Sequence, residues 1–438
     1  MQQTALTYSG RKASPSIQEG RAIQKQEAAA LGKLAGRGMA GIASLAEELH
    51  QAVFRRSAIA AGPPVRVIHD GVAGVAYKGV RALNSAIGQT AGAGLAAVQG
   101  GEDRLADSTA GSLALGALSG FHGDLLHQDG NELAIEMALR QRGADLELNR
   151  SALAAAFPEA TPRLAVFVHG LCETDEAWWL FGGRSDCYGS RLQRDLGFTP
   201  LYLRYNTGLH VSDNGRRLSQ LLAEVADAWP TEISEMVLLG HSMGGLVLRS
   251  ACHYGEHSEE DWVGDVRHVF CLASPHLGAP LEKAANVAGW LLGRLPETRP
   301  LARILNGRSE GIKDLRFGYL VEEDWQEGDP DALLEDNRHH IPFLETANYY
   351  CVSATLSRDP HHPLGHLVGD LLVRYPSATG QGARGERIPF ELDSGHHHAG
   401  GLTHFHVLND AEVYRQIHAW LERDRVGQGP GWVVSQQS

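Results

Sequence analysis

Residues 235–250, EMVLLGHSMGGLVLRS, constrain the fold of this chain more than any other stretch. A short apolar run at 236–239 meets Gly240-His241-Ser242-Met243-Gly244 and passes straight into the helix-like Gly245-Leu-Val-Leu-Arg-Ser. A strand that turns sharply into a helix at a serine is the setting of a nucleophile elbow. Gly240 and Gly244 flank the serine because a Cβ at either position would collide with the neighbouring strand or helix. The hydroxyl then stands at the top of a sheet. Met243 places a backbone N–H at a helix N-terminus, where unpaired donors and the helix dipole favour an oxyanion. A Gly-x-Ser-x-Gly pentapeptide is also what a plain glycine-rich turn looks like, so the reading depends on strands, helices and partner residues in the right order.

That order is present. Residues 163–171, RLAVFVHGL, form a buried strand ending in His-Gly. Residues 200–206 are a further strand, and Asn214-Gly215 opens a helix with apolar positions Leu218, Leu221, Leu222 and Val225. Residues 266–280 give another buried strand closing in a tight turn. Strands alternating with helices across 163–275 predict a parallel sheet covered on both faces, with the site at the strands' carboxyl ends. Upstream, alternating runs at 133–139 and 144–148 flank Gly143 and predict an antiparallel pair. From about 281 to 342 the rhythm breaks, and the apolar, helix-like stretch 287–295 predicts a cap inserted over the nucleophile. Residues 1–119 read as a polar leader and a helical extension, with Ile68, Val72, Val75, Val80, Leu83, Ile87, Leu95 and Val98 at helical spacing. The expected organisation is therefore an extension over 1–119, a main domain over 120–425 with a cap at 281–342, and a tail over 426–438.

A serine hydroxyl needs a base, and the base needs an orienting acid. Beyond a strand at 349–355 the chain reaches Gly369-Asp370, and Asp370 is the preferred acid; Asp359, in a loop-tip setting of Arg-Asp-Pro-His-His, is its rival. Residues 387–392 are expected to form the last strand, followed by a histidine-rich loop, Gly395 through Leu408, and a helix from Asp410. His404 lies closest to the pre-helix position and is the preferred base, with His406 and His398 as rivals. Leu171 and Met243 are the expected oxyanion donors through their backbone N–H groups, with Gly170 as the permissive neighbour. His169 is read as a loop-shaping core histidine. Trp178 and Trp179 either line an acyl pocket or anchor the first helix, packing being preferred; with Gly170 and His241 they are the candidate substrate contacts. The clusters His361-His362, His366 and His396 to His398 lack the spacing of a zinc site, so no metal and no cofactor are expected.

The net charge of −13 disfavours nucleic acid as a partner. Residues 1–119 carry 12 Lys and Arg against 8 Asp and Glu, so this part permits peripheral contact with an anionic membrane. No apolar run reaches the roughly 18 residues of a membrane span, and the start lacks an apolar signal core, which points to the cytoplasm. Five scattered cysteines are expected to be free thiols.

Taken together, VFVHGL at 166–171, YNTG at 205–208, GHSMGG at 240–245, ASPHLGAP at 273–280, GD at 369–370 and THFHVL at 403–408 make the chain resemble the α/β-hydrolase superfamily, and within it the bacterial triacylglycerol lipases and the GPI inositol-deacylase-like group. The resemblance covers roughly 130–425. It implies a mostly parallel central sheet flanked by helices, a triad of Ser242, Asp370 and His404, and an oxyanion hole of Leu171 and Met243; His276 of the ASPHLGAP turn is then structural. The implied activity is that of a serine esterase or lipase acting on an ester or lipid. A thioesterase or acyltransferase with the same triad, or a non-catalytic docking module on the same fold, is the alternative.

Overall fold

The computed structural model describes residues 109–279, 308–326, 336–359, 369–382 and 387–427. The expected leader and helices over 1–108, the apolar stretch 287–295, His361, His362, His366 and the tail past 427 lie outside the described residues.

Eight strands form one sheet: β1 (Ala138–Gln141), β2 (Ala144–Asp145), β3 (Arg163–Val168), β4 (Thr199–Arg204), β5 (Glu235–His241), β6 (Val266–Leu272), β7 (Asn348–Thr355) and β8 (His396–Gly400), in the order β2-β1-β4-β3-β5-β6-β7-β8. The β1-β2 and β1-β4 pairings are antiparallel and all the others parallel. This is the α/β-hydrolase architecture. β3, β5 and β6 are near-continuous apolar runs because both faces of a parallel sheet are covered. On one face, helices α3 (Val211–Ala228) and α4 (Met243–His257) bury Leu218, Leu221, Leu222, Val225, Leu246 and Val247 against alternate residues of β3 and β5. On the other, α2 (Tyr188–Leu196) and α5 (Ala411–Gly427) bury Tyr188, Leu192, Val413, Ile417 and Leu421 at helical spacing against Phe167, Val237 and Phe270.

A helix α1 (Thr109–Gln128), kinked at His122, runs through position 120, where the sequence places the start of the main domain. Its docking face is made of small residues. A Cβ at Gly120 would lie 2.2 Å from Cys172 Sγ, and one at Gly123 would lie 1.9 Å from Asn206 Oδ1, so the backbone of α1 rests directly on the loops that follow β3 and β4. Ser112 and Ser119 complete the contact, through Thr174 Oγ1 at 3.0 Å and Asn206 Oδ1 at 2.9 Å. Within the 281–342 span, the short helix Glu310–Asp314 packs beside α1, with Ser309 Oγ donating to Gly120 O at 2.5 Å.

The last strand departs from expectation. Residues 388–390 are not a strand: Arg387 makes only an isolated bridge to Gln381, and Pro389 has no N–H to give a ladder. The strand is formed by the histidines themselves. His396 and His398 pair with β7 and hydrogen-bond Ser353 Oγ and Thr355 Oγ1, each at 2.8 Å, so their polar edges are satisfied within the sheet. Burial, then the neighbouring His398 and His397, hold the His396 imidazole down at about 4 and keep it neutral. The five cysteines are free thiols, and among the described residues no helix is long and apolar enough to cross a membrane.

Candidate active site

Ser242 joins β5 to α4 with φ 52° and ψ −122°, a left-handed backbone that a non-glycine residue adopts only under constraint. The constraint is packing on both sides. A Cβ on Gly244 would lie 2.2 Å from Val168 O, at the end of β3, and one on Gly240 would lie 2.5 Å from Gly245 N, in the helix. The Ser242 N–H donates to Leu272 O at 2.8 Å, which ties the turn to β6. Met243 is the first residue of α4, so its N–H has no partner within the helix.

The loop after β3 approaches the same point. The nearest side-chain atom to a Cβ built on Gly170 is Ser242 Cβ, at 3.0 Å, so the loop backbone comes close to the serine and a side chain here would crowd it. Half-buried Leu171 and then Cys172, with φ 61°, follow. Among the described residues neither Leu171 N–H nor Met243 N–H finds an acceptor. His169 sits behind the loop, stacked on Tyr205 at 4.4 Å. Its Nδ1 donates to Gly170 O at 3.0 Å and its Nε2 accepts the Tyr205 N–H at 3.3 Å, which defines a neutral ring. Burial is the main reason that its pKa falls to about 4.

Asp370 and His404 are brought together from separate loops beyond β7 and β8. Both are buried, and His404 Nδ1 lies 2.8 Å from Asp370 Oδ2. Asp370 Oδ1 accepts the N–H groups of Leu372 and Val373 at 3.0 and 2.8 Å, and the His404 N–H donates to Asp370 O at 3.1 Å. With Oδ1 occupied by two donors, Oδ2 accepts from Nδ1–H, leaving His404 Nε2 as the ring atom with a free lone pair. The rivals are elsewhere: Asp359 is exposed, His398 faces Thr355, and His406 is exposed, stacked on Phe181 at 4.6 Å.

His241 links the two halves. It is wholly buried, its ring centroid is 4.9 Å from that of His404, and its Nε2 donates to His404 O at 3.2 Å. On its other side Nδ1 meets Glu173, 3.0 Å from Oε1 and 3.1 Å from Oε2, while Glu173 Oε2 accepts the Gly170 N–H at 2.6 Å. Burial would lower the His241 pKa, but the Glu173 charge and hydrogen bond, the His404 carbonyl and Asp370 outweigh it and raise it. For Glu173 burial is likewise outweighed, by His241 and the Gly170 N–H, and the carboxyl is held below its usual range. His241, expected to touch substrate, thus has no surface to offer one. Glu173 escapes notice in the sequence because one carboxylate in a short loop reads as solvated; its spacing of three residues from Gly170, within turn-forming reach, is the only signal.

Trp178, a candidate substrate contact for which packing is the preferred reading, is 1% exposed and packs edge-on against Phe167 at 4.9 Å, in the core between sheet and helices. Trp179 lies tilted against Tyr202 at 5.2 Å, under the Arg184 guanidinium at 3.6 Å. Both serve the scaffold, because the 3-10 turn Asp175–Trp179 folds back onto β3 and β4. His276 is buried and accepts from Arg249 at 3.3 Å. Three large apolar side chains are exposed beside these loops: Phe181, Leu371, next to Asp370, and Phe405, next to His404. Among the described residues no group of three or more His, Cys, Asp or Glu could hold a metal ion.

Residues 161–289 match the PGAP1-like alpha/beta domain family, a span that includes the loop after β3, the elbow and β6. Curated proteins give no match. Among solved structures, the mature lipase BlEst2 of Bacillus licheniformis is 18% identical over 59% of this chain and 91% of its own, with a TM-score of 0.37. Lipase 1 from Pelosinus fermentans is 13% identical over 61% and 99%, with a TM-score of 0.35. An esterase of Pyrococcus furiosus is 11% identical over 60% and 83%, with a TM-score of 0.33.

Proposed function

We propose that this α/β-hydrolase is a serine carboxylic-ester hydrolase, with Ser242 as nucleophile, His404 as base and Asp370 as the orienting acid. The observation that carries the reading is the Asp370–His404 pair, beyond the carboxyl ends of β7 and β8, beside the end of β5 where Ser242 stands in a strained elbow, with the ring proton committed to Asp370 and Nε2 left to accept another. Ser242 Oγ attacks the ester carbonyl carbon while His404 Nε2 takes its proton. The carbonyl oxygen becomes an oxyanion and accepts the N–H groups of Leu171 and Met243, which lie in the low-dielectric surroundings where such donors are strongest. Collapse expels the alcohol, which takes the proton from His404. A water molecule, deprotonated by the same nitrogen, then attacks the acyl-enzyme and releases the acid.

Phe181, Leu371 and Phe405 give the rim of this site an apolar character, which favours a lipid or other ester with an apolar acyl group. The test is hydrolysis of a p-nitrophenyl ester series of increasing acyl length by the wild type and Ser242→Ala. The wild type should be active and should react with a fluorophosphonate. The variant should lose at least about 10³-fold in kcat. Equal activity in the two proteins would overturn the assignment of the nucleophile.

A further inference from the structure

The Glu173–His241 pair takes no part in the steps just described, yet it touches the carrier of every reacting group. Its proton state follows from its partners. The His404 carbonyl can only accept, so His241 Nε2 carries a hydrogen; Nδ1 faces both oxygens of a carboxylate that also accepts the Gly170 N–H, so Nδ1 carries one too. The pair is an imidazolium beside a carboxylate, with His241 fully enclosed and Glu173 nearly so. The other titratable groups facing His241 are His169 at the end of β3, and Asp370 and His404 from the loops beyond β7 and β8. A buried ion pair brings no net stability over well-packed apolar side chains, so its place behind the elbow calls for an explanation in geometry.

The contacts supply one. His404 is held at three points. Its ring Nδ1 and its N–H are fixed by Asp370, which belongs to the β7 loop. Its carbonyl is fixed by His241, the residue immediately before the nucleophile. The third contact is thus a direct tie between the base and the elbow strand. The same imidazole, through Glu173, is tied to the N–H of Gly170, the residue before Leu171.

We propose that Glu173 is a positioning residue for ester hydrolysis: through His241 it sets the separation of His404 from Ser242, and through the Gly170 N–H it sets the loop that carries the Leu171 donor. The proposal rests on the reading of Ser242 and His404 given above. It predicts a graded response. Glu173→Gln keeps both ties, to Gly170 and to His241, since the amide oxygen accepts from Gly170 and the amide N–H2 donates to Nδ1 of a neutral His241 that still donates from Nε2; only the second Nδ1 contact, to the oxygen, is given up. Glu173→Ala leaves the Gly170 N–H and the His241 ring without that partner and frees both loops.

The experiment measures kcat and KM for wild type, Glu173→Gln, Glu173→Ala and Ser242→Ala well below their melting temperatures, together with the ¹⁵N shifts of the His241 ring. The expected result is a fall in kcat of about 10²-fold for Glu173→Ala with KM within about threefold, and a substantial recovery in Glu173→Gln. Both ring nitrogens of His241 should be protonated at neutral pH in the wild type and only one in Glu173→Gln. A purely structural role would lower the melting temperature of the variants and leave their kcat alike. Folded Glu173→Ala with wild-type kcat, beside an inactive Ser242→Ala, overturns the positioning role alone. An active Ser242→Ala overturns the reading of the site. If Glu173→Ala does not fold, Glu173→Gln decides through the ring shifts: a neutral His241 in the wild type overturns the pair whatever the activities.

Discussion

Asp370→Asn is the sharpest perturbation of the proposed mechanism, because the surroundings of Asp370 dictate how an amide must sit. Oδ1 receives two backbone N–H groups, from Leu372 and Val373, at 3.0 and 2.8 Å. An asparagine that keeps its oxygen there turns its N–H2 towards His404 Nδ1, 2.8 Å away in the wild type. The ring must then accept at Nδ1 and carry its hydrogen on Nε2, the nitrogen that is to take the serine proton. The opposite orientation restores the ring but sets the N–H2 against two buried N–H donors, at about 1–3 kcal/mol for each donor left unpaired, or roughly 2–6 kcal/mol in all. The two neutral tautomers of imidazole lie close in energy, so the backbone donors decide and the wrong tautomer prevails. Loss of kcat should be roughly 10⁴-fold, about 5.5 kcal/mol in the barrier, with KM little changed. The hydrogen-bond count is preserved, so the melting temperature should stay within a few degrees. The assay is p-nitrophenyl butyrate hydrolysis on protein whose fold is checked by near-UV circular dichroism. A folded variant that keeps more than about a tenth of wild-type kcat would refute the claim that Asp370 fixes the working tautomer.

Gly244→Ala drives a Cβ to within 2.2 Å of Val168 O and 2.6 Å of His169 O, both backbone atoms, and should cost about 3 kcal/mol in urea denaturation as well as most of the activity; a neutral result would mean that the elbow can shift. Trp178→Phe should destabilise without moving the acyl-length optimum of the ester series, whereas a shifted optimum would return Trp178 to the acyl pocket. His169 has its folded pKa depressed to about 4 from 6.5, so the unfolded chain takes up the proton first and stability is lost as pH falls through this window, by at most about 3 kcal/mol. The slope of urea midpoint against pH between about 6.5 and 4 should be shallower in His169→Phe, and an unchanged slope would remove His169 from the account.

The parts of the fold legible in the sequence are those fixed by short-range sterics or by burial on both sides. The elbow could be read because Gly240 and Gly244 answer to backbone contacts that admit no side chain, and β3, β5 and β6 because parallel strands within a covered sheet have no need of polar alternation. β8 escaped because His396 and His398 are polar in sequence and acquire their strand partners only from Ser353 and Thr355, far away in the chain. The reach of α1 past position 120 escaped for the opposite reason: a helix that docks through Gly120 and Gly123 shows no apolar stripe on its docking face. At the site, the approach of Asp370 to His404 is a fact of tertiary structure, and the order of acid and base along the chain is suggested by family resemblance and not by any local pattern. Glu173 and His241 lie still further from view, since what distinguishes them is enclosure.

The wide separation of these groups along the chain has a consequence for how the protein comes into being. His241 and His404 are 163 residues apart, and the strand that delivers His404 lies at the far edge of the sheet from β1 and β2. During synthesis from the N-terminus, β3 to β6 and the elbow helix can assemble while β7, β8 and the loops beyond them are still being made. The nascent protein therefore carries Ser242 in place before it carries His404, the base of the proposed mechanism. On the proposed mechanism, ester hydrolysis is then withheld until the last strand docks, however nearly folded the ribosome-bound chain already is.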